Sequence, residues 1–154
     1  MSHYAIRKIG PGDAADLRAL NGLYDRVFDE DGDDYDDYRA APPHDAYLEE
    51  RCADPKLIAL GAWAEEQPIG ALTAFILDKC EQERSEVYIY DLAVDPAWRR
   101  KGVAKALIDE TRRLAREAGA WVIFVQADQG DEAPIALYTK LGRREDVHHF
   151  DIDP

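Results

Sequence analysis

Three adjacent cations precede a glycine and a small residue near the middle of the chain: Arg99, Arg100, Lys101, Gly102 and Ala104. The first N–H groups of a helix have no intrahelical partner and lie at the positive end of the helix dipole. A glycine lets the backbone approach a bound anion closely. In a chain of formal net charge -13, this turn predicts a phosphate site at a helix N-terminus. A solvated turn that only joins a strand to a helix fits the same residues.

A strand and a helix must position this turn. Residues 86–94 are rich in β-branched and aromatic residues and predict a buried strand that ends at Asp95-Pro96. A helix is expected from Gly102 to Gly119, with one apolar face formed by Val103, Leu107, Thr111, Leu114 and Ala118. Residues 120–127 are continuously apolar, as in a strand covered on both faces. We expect this strand to lie parallel to 86–94 through a right-handed crossover, with a ligand cleft at the strand ends.

Hydrophobic periodicity and turn residues place the other elements. We predict strands at 3–9, 57–65, 69–77 and 146–152, and helices at 13–28, 44–52 and 133–141. Asp13 is expected to cap the first of these helices, and Tyr47 and Leu48 to point inward from the second. With 154 residues, 46% of them hydrophobic, the chain predicts a single α/β domain over 1–154.

The composition excludes several classes of protein. A strong acidic excess opposes nucleic-acid binding and attracts polycations. No apolar run approaches the length of a membrane span, and the first residues do not resemble a signal region. Cys52 and Cys80 are isolated, so they predict neither a zinc site nor a disulfide framework. These features favour a cytoplasmic protein with no membrane or nucleic-acid partner.

Residues 29–37 form a dense block of carboxylates, and repulsion between them predicts a loop. The loop is either simply solvated or an acidic lip that attracts a cationic substrate. A calcium loop of the EF-hand type is disfavoured, because its twelfth position, counted from Asp29, is Ala40 rather than glutamate. We therefore predict no metal site.

The basic turn lacks both the P-loop and the dinucleotide-binding glycine patterns. Its R-x-x-G-x-A pattern, after Leu-Ala-Val-Asp-Pro, instead resembles the pyrophosphate-binding motif of the GNAT superfamily of acyl-CoA N-acyltransferases. The run 133–142, with Tyr138 four residues before Gly142, resembles a later helix of that superfamily. The resemblance extends from about residue 57 onward and implies a mixed central sheet flanked by helices.

Further blocks at 79–94, 122–128, 136–142 and 149–154 resemble the GNAT-type aminoglycoside 3-N-acetyltransferases, which modify gentamicin and fortimicin. The resemblance implies acetyl-CoA as cofactor, coenzyme A as product and a homodimer. It also implies antibiotic resistance through acetylation of the 3-amino group of the 2-deoxystreptamine ring.

The resemblance also implies which residues hold the cofactor. The backbone of Leu92, Ala93 and Val94 is expected to bind the pantetheine arm. The pyrophosphate is expected on the N–H groups of Arg99, Arg100, Lys101, Gly102, Val103 and Ala104. At Asp131 many superfamily members have asparagine, so this cofactor contact is weakened and a carboxylate is added.

Acetyl transfer needs a neutral amine, a polarised carbonyl and a proton for the leaving thiolate. Asp91, in the central strand, is our candidate general base, although a structural role fits it equally. Tyr138 is implied as the donor to the thiolate, with a core tyrosine as the alternative. A cationic acceptor is expected to meet carboxylates at the strand ends and the cleft: Glu81, Glu86, Asp91, Asp128, Asp131, Glu132, Asp151 and Asp153.

Direct transfer in a ternary complex is expected, because no cysteine or serine is paired with a base. Two alternatives remain open from sequence. The chain could acetylate another amine, such as a polyamine or a protein lysine. It could also be a non-catalytic sensor that binds acyl-CoA without turnover.

Overall fold

The computed structural model describes residues 3–30 and 41–154. Its strands are β1 (Ala5–Lys8), β2 (Leu57–Ala64), β3 (Gln67–Asp78), β4 (Ser85–Val94) and β5 (Ala120–Val125). Its helices are α1 (Ala14–Glu30), α2 (Asp45–Cys52), α3 (Val103–Glu117) and α4 (Glu132–Leu141), with a 3-10 turn at Pro96–Trp98. Over these described residues, a mixed five-stranded sheet flanked by four helices confirms the predicted fold class.

The sheet has the strand order β1-β2-β3-β4-β5. The first four strands pair antiparallel with their neighbours, and β4 pairs with β5 in parallel through α3. The predicted parallel crossover is therefore confirmed, and β2 and β3 form a hairpin. The hairpin turns at Glu65, whose φ of 55° is left-handed.

Helices cover the two faces of the sheet unequally. The apolar face of α3 packs on one side against side chains of β2, β3 and β4. On the other side, α1 and α2 cover the central part of β2 and β3. Gly70 of β3 permits the close approach of α3, because a Cβ there would lie 2.7 Å from Cγ1 of Val103. The start of α3 is thus held directly against the sheet.

Several local predictions were wrong. Tyr47 is 54% exposed, whereas Leu48 is buried, because only one of these neighbouring positions on a helix faces α1. Asp13 does occupy the cap position of α1, where its carbonyl accepts the N–H of Leu17 at 2.9 Å, while its carboxylate accepts the N–H of Gly10 at 2.8 Å and closes the preceding turn. Ala118 is exposed beyond the end of α3, and the buried face continues through Ala115 instead.

The last two predicted strands also differ from the structure. The strand β5 ends at Val125, and the exposure of Trp121 and Phe124 shows that it is not covered on both faces. The predicted strand at 146–152 does not form: residues 143–154 have neither helix nor strand and are all exposed. A strand needs a hydrogen-bonding neighbour, and none of the five strands in the described residues pairs with this segment.

Most of the acidic segment 29–37 lies outside the described residues, so the predictions for that loop are not addressed by the structure. Within 3–30 and 41–154, none of the helices combines the length and apolar character needed to cross a bilayer.

Candidate active site

The predicted phosphate turn is a strongly bent segment between β4 and α3. Arg100 and Gly102 both have positive φ, at 61° and 83°, a conformation in which successive N–H groups can converge on an anion. The first backbone bond of α3 joins the N–H of Ala106 to the carbonyl of Gly102 at 2.9 Å. The N–H groups of residues 103–105 therefore precede the helical ladder, as an anion site requires.

The space in front of Gly102 is open. A Cβ built on this glycine would have the Tyr4 hydroxyl, at 4.0 Å, as its nearest described neighbour. Trp98 packs edge-on against the Tyr4 ring, with centroids 6.3 Å apart, and Lys101 Nζ lies 5.0 Å from the Trp98 ring centroid. The rings of Tyr4 and Trp98 thus pack beside the turn, while Gly102 leaves its backbone accessible.

Asp95 fixes the start of the same turn. Its carboxylate accepts a hydrogen bond from the N–H of Ala97 at 2.9 Å and forms an ion pair with Arg26 at 3.3 Å. The Nε of Arg99 donates to the carbonyl of Val94 at 3.2 Å. Because Arg26 belongs to α1, both sides of the sheet contribute to the position of the turn.

A bulge in β4 opens the centre of the sheet. Thr73 pairs with Asp91 and Ala74 with Ile89, so Tyr90 is the extra residue. A bulge bends its strand and increases the local twist. Pairing between β4 and β5 ends at Ile89 and Val125, although β4 continues to Val94. Within the described residues, the β5-facing backbone of Leu92, Ala93 and Val94 has no strand partner.

Asp91 lies at this opening, immediately after the bulge. Burial raises the pKa of its carboxyl above the ordinary value of 3.8. Among residues 3–30 and 41–154, no hydrogen bond or ion pair to this carboxylate is found. A carboxylate that is partly desolvated and unpaired is a stronger base than one in water.

Two residues that the sequence analysis missed lie beside Asp91. Thr73 is its partner across the β3–β4 pair, and the Thr73 hydroxyl lies 3.0 Å from the Tyr24 hydroxyl of α1. Burial and the charge of Asp91 both raise the pKa of Tyr24, so this phenol stays protonated. A helix residue 49 positions from Thr73 could not be paired with it by sequence reasoning.

Tyr138 projects from α4, next to the end of β5. Burial, and then the charge of Asp131, raise the pKa of its phenol to about 12. It lines a groove of about 890 Å³ together with Ile89 and Val125, the residues at which the two strands separate. A phenol that is protonated at neutral pH beside a strand opening can donate a proton or hydrogen bond to a leaving group there.

Four aromatic side chains form an open patch on the sheet: Phe75, Tyr88, Tyr90 and Phe124, here called the aromatic patch. Tyr88 stacks on Phe124 with centroids 4.7 Å apart and meets Tyr90 edge-on at 5.6 Å. Tyr90 in turn meets Phe75 edge-on, with ring centroids 6.1 Å apart. Tyr90 is 64% exposed. The Tyr-x-Tyr pattern in β4 is visible in the sequence and could have indicated this patch. The bulge that exposes Tyr90 could not be read from the sequence.

The predicted acids fall into three places. Asp128, Asp131 and Glu132 lie together between β5 and the first turn of α4, where the N–H of Asp131 donates to the carbonyl of Asp128 at 3.2 Å. They are on the same side of the molecule as Tyr138. These acids are therefore brought close to one proposed catalytic residue.

Glu81 and Glu86 lie near the opposite end of β4. Glu86 and Asp91 are five positions apart, roughly 16 Å along a strand. Lys79 pairs with Glu81 at 2.6 Å and with Glu86 at 3.5 Å, and its hydrogen bond lowers the pKa of Glu81. Asp151 and Asp153 belong to the exposed segment 143–154. The structure does not bring these four acids to Asp91 within one chain.

Neither metal nor thiol chemistry is indicated in the part of the chain that is described. No cluster of three metal-ligating side chains occurs there. Cys52 is buried and Cys80 is exposed, and both are free thiols. Asp91, Tyr138 and the backbone of the turn and of β4 remain the candidate groups of the site.

Sequence comparison identifies one family. The profile described as the acetyltransferase (GNAT) family matches residues 23–142. Among curated proteins, the ribosomal protein bS18-alanine N-acetyltransferase of Escherichia coli K12 is 29% identical over 75 residues, 49% of this chain and 46% of that enzyme. Human N-acetyltransferase 8 is 27% identical over 58% of this chain and 39% of its own. The chain thus matches less than half the length of these curated relatives.

Solved structures match over nearly the whole chain. An aminoglycoside acetyltransferase from an uncultured soil metagenomic sample is 42% identical, covers 99% of both chains and has a TM-score of 0.91. A second such enzyme from a soil metagenomic sample, solved in complex with sisomicin, is 27% identical over 98% of this chain and 96% of that chain, with a TM-score of 0.87.

Proposed function

Because this chain belongs to the acetyltransferase (GNAT) family, we propose that it transfers the acetyl group of acetyl-CoA to an aminoglycoside, at the 3-amino group of the 2-deoxystreptamine ring. The observation that carries the acceptor class is the 42% identity to an aminoglycoside acetyltransferase over 99% of both chains. The choice of the 3-amino group rests on the resemblance of residues 79–94 and 122–128 to 3-N-acetyltransferases.

Acetyl-CoA is the cofactor of GNAT acetyltransferases, and the residues present fit it. The open space at Gly102 and the N–H groups of 103–105 suit the pyrophosphate. The unpaired edge of β4 at Leu92, Ala93 and Val94 suits the amide groups of the pantetheine arm. When bound, acetyl-CoA supplies an acetyl thioester, whose acetyl group passes to the acceptor nitrogen.

Asp91 is proposed to accept the proton that the acceptor ammonium must lose. Burial raises its pKa, which makes it a better base than an exposed aspartate. The neutral nitrogen that Asp91 leaves would then be able to attack a bound acetyl thioester, with the thiol of coenzyme A as the leaving group. A water molecule between Asp91 and the amine would relay the same proton to the carboxylate.

Tyr138 is proposed to give a proton or hydrogen bond to the departing thiolate. Its pKa of about 12 keeps the phenol protonated throughout the neutral range. A thiolate is a weaker base than a phenolate of that pKa. A hydrogen bond from the phenol therefore stabilises the leaving group without full proton transfer. Burial, and then the charge of Asp131, keep the Tyr138 phenol protonated and neutral.

The aromatic patch supports a polycationic acceptor. Tyrosine and phenylalanine faces attract ammonium groups, and exposed rings also pack against the apolar faces of sugars. Burial raises the pKa of Tyr88, and the charges of Tyr90 and then Asp91 add to the rise, so Tyr88 lies near Asp91. The formal net charge of -13 adds a long-range attraction for a cation.

The test is release of free coenzyme A thiol from acetyl-CoA with gentamicin, kanamycin, spermidine, a lysine peptide and a peptide beginning with alanine. Gentamicin-dependent release, with NMR placing the new acetamide on the 3-nitrogen, is the expected result. Acetylation at another amino group contradicts the 3-position only. Turnover with spermidine or a peptide alone overturns the acceptor class, and acetyl-CoA binding without turnover identifies a sensor.

Resistance is tested separately in cells. Expression of the chain is expected to raise the gentamicin concentration needed to stop bacterial growth, whereas expression of an Asp91→Asn variant is not. Equal protection by both proteins would contradict a role of acetylation in the effect.

A further inference from the structure

Thr73 is the residue of β3 directly opposite Asp91, and this pair borders the bulge at Tyr90. Opposite residues of antiparallel strands place their side chains on the same face of the sheet, with Cβ atoms about 4.5–5.5 Å apart. The next pair on this face is Ala71 with Ala93, and both belong to the apolar cluster under α1. Thr73 and Asp91 thus form a polar pair beside an apolar row, where β4 and β5 separate.

A tyrosine of α1 fixes the Thr73 hydroxyl. Tyr24 Oη lies 3.0 Å from Thr73 Oγ1, and the buried Tyr24 ring stacks on Phe28 with centroids 5.7 Å apart. Burial and the charge of Asp91 raise the pKa of Tyr24, so its hydroxyl keeps its hydrogen and lies in the field of that carboxylate. Among residues 3–30 and 41–154, Tyr24 is the one hydrogen-bond partner found for the Thr73 side chain.

This single contact does not use the full capacity of the Thr73 hydroxyl. A hydroxyl has one donor hydrogen and two acceptor lone pairs. Whichever of the two hydroxyls donates in the contact with Tyr24, Thr73 Oγ1 keeps at least one lone pair for another donor. Thr73 is only partly buried, whereas Tyr24 is buried. Of these two oxygens, the one on Thr73 is therefore accessible to a ligand beside Asp91.

We propose that Thr73 is a second binding residue for the reacting ammonium, beside Asp91, and that Tyr24 is the positioning residue that orients the Thr73 hydroxyl. The inference rests on the proposed function, because it places the amino group of the acceptor at Asp91. It adds a neutral oxygen to the carboxylate as a determinant of how the amine is held.

The spacing of the two residues suits a shared nitrogen. A tetrahedral nitrogen that donates to two oxygens at about 2.9 Å each holds them about 4.7 Å apart. That separation agrees with the distance between opposite side chains of paired strands. In the described part of the chain, no hydrogen bond joins the side chains of Thr73 and Asp91 directly. Room for a common donor consequently remains between them.

The two contacts have different fates during proton transfer. A primary ammonium has three N–H groups, so Asp91 and Thr73 can each accept one of them. Asp91 takes up the proton that is lost, whereas Thr73 accepts a hydrogen bond and no proton. The Thr73 contact therefore persists in the neutral amine, and it orients the nitrogen without occupying its lone pair.

The first test is gentamicin binding without acetyl-CoA, measured by isothermal titration calorimetry on the full chain. Thr73→Val should weaken binding by about tenfold or more, because a hydrogen bond from a charged donor is lost. Thr73→Ser keeps the hydroxyl and should bind as the unsubstituted chain does. Tyr24→Phe should weaken binding by a smaller factor, because the Thr73 hydroxyl remains but is no longer oriented.

Thr111→Val is the matched control for the loss of a threonine hydroxyl. Thr111 is buried in α3, and its hydroxyl donates to the carbonyl of Leu107 at 2.9 Å. This variant should bind gentamicin as the unsubstituted chain does. Equal gentamicin affinity of Thr73→Val and Thr111→Val would overturn the role of Thr73.

A double variant separates binding from folding. Thr73→Val alone leaves the buried Tyr24 hydroxyl without its partner, so the urea midpoint of unfolding should fall. Adding Tyr24→Phe removes that unpaired group and should restore much of the midpoint. Gentamicin affinity should nevertheless remain as low as in Thr73→Val, because Tyr24 acts only through Thr73. Recovery of affinity together with stability would indicate a role in folding alone and would overturn the proposal.

Turnover distinguishes this proposal from the proposed function. With whichever amine releases coenzyme A, Thr73→Val should lower kcat/KM for the acceptor by about tenfold or more and leave the KM for acetyl-CoA unaltered. Normal kcat/KM in that variant supports an acetyltransferase and overturns the contact with Thr73. Gentamicin binding that Thr73→Val weakens, without turnover of any amine, contradicts the proposed function and supports the contact. Absence of both gentamicin binding and turnover overturns both proposals.

Discussion

Ile89 and Val125 are the last residues at which β4 and β5 pair, although β4 runs on to Val94. The bulge at Tyr90 lies immediately after Ile89 and bends β4 away from its neighbour. The opening exposes the backbone of β4 next to the carboxylate of Asp91. It thus places an unpaired strand edge and a candidate base at the same point of the sheet.

Asp91→Asn should reduce kcat by about 10²–10⁴-fold if the carboxylate is the base. In the unsubstituted protein, kcat should fall as the pH drops through the raised pKa of Asp91, because only the ionised form accepts a proton. This acidic limb should be absent from the residual activity of the variant. Near-normal turnover of Asp91→Asn would remove the residue from the mechanism.

The same substitution should stabilise the fold at neutral pH. Because the folded pKa of Asp91 lies above the unfolded value near 3.8, the native state binds its proton more tightly, and stability falls as pH rises through the folded pKa. Asparagine does not ionise, so the variant does not lose this stability as the pH rises. Thermal unfolding at pH 7 should therefore show a higher Tm for the variant, with the difference shrinking below pH 3.8. Asp109→Asn, whose pKa is lowered by Lys105, should not raise Tm at pH 7.

Tyr138→Phe should lower kcat by about 10²-fold or more, with little change in the KM for acetyl-CoA, because the ring remains and only the proton donor is lost. Since the pKa of the phenol is about 12, no alkaline limb due to this residue is expected between pH 7 and 9. Tyr47→Phe, at an exposed position on α2, is the control and should leave kcat unaltered. An unchanged kcat in Tyr138→Phe contradicts the proposed donor role.

Gly102→Ala should weaken acetyl-CoA binding by about tenfold, which corresponds to about 1.4 kcal/mol. A φ of 83° is left-handed and costs an alanine about 1–2 kcal/mol, so the turn that presents the N–H groups is distorted. Gly119→Ala is the matched control, because its φ is 74° and it follows the other end of α3. Calorimetry should show weaker cofactor binding in the first variant alone, whereas both should lose stability. Equal binding by both variants argues against an anion site at Gly102.

Gly70→Ala should lower the free energy of unfolding by about 1–3 kcal/mol, the usual cost of overpacking a core. The new Cβ would lie 2.7 Å from Cγ1 of Val103, so the first turn of α3 must move. Affinity for acetyl-CoA should decrease as well. Gly22→Ala, within α1 and with open space around its Cβ, should instead raise stability by about 0.5–1 kcal/mol. Urea unfolding of both variants measures the contrast.

The amino-acid sequence alone determined the features that depend on short-range pattern. The apolar repeat from Val103 to Leu114 predicted the buried face of α3, and the residues from Arg99 to Gly102 predicted the turn before it. Tyr138 became a candidate through the resemblance of residues 133–142 to a helix of the GNAT superfamily. Such features are visible because helix periodicity and turn chemistry involve residues within a few positions of each other.

Tertiary structure alone decided where strands pair and where they separate. Whether β4 carries a bulge at Tyr90, and whether Tyr24 reaches Thr73, depends on segments far apart in the chain. The segment 146–152 has the alternation of a strand, yet it has no strand partner among the described residues of its own chain. Strand pairing satisfies backbone hydrogen bonds through a second segment, so a local pattern can predict the capacity to form a strand but cannot identify its partner.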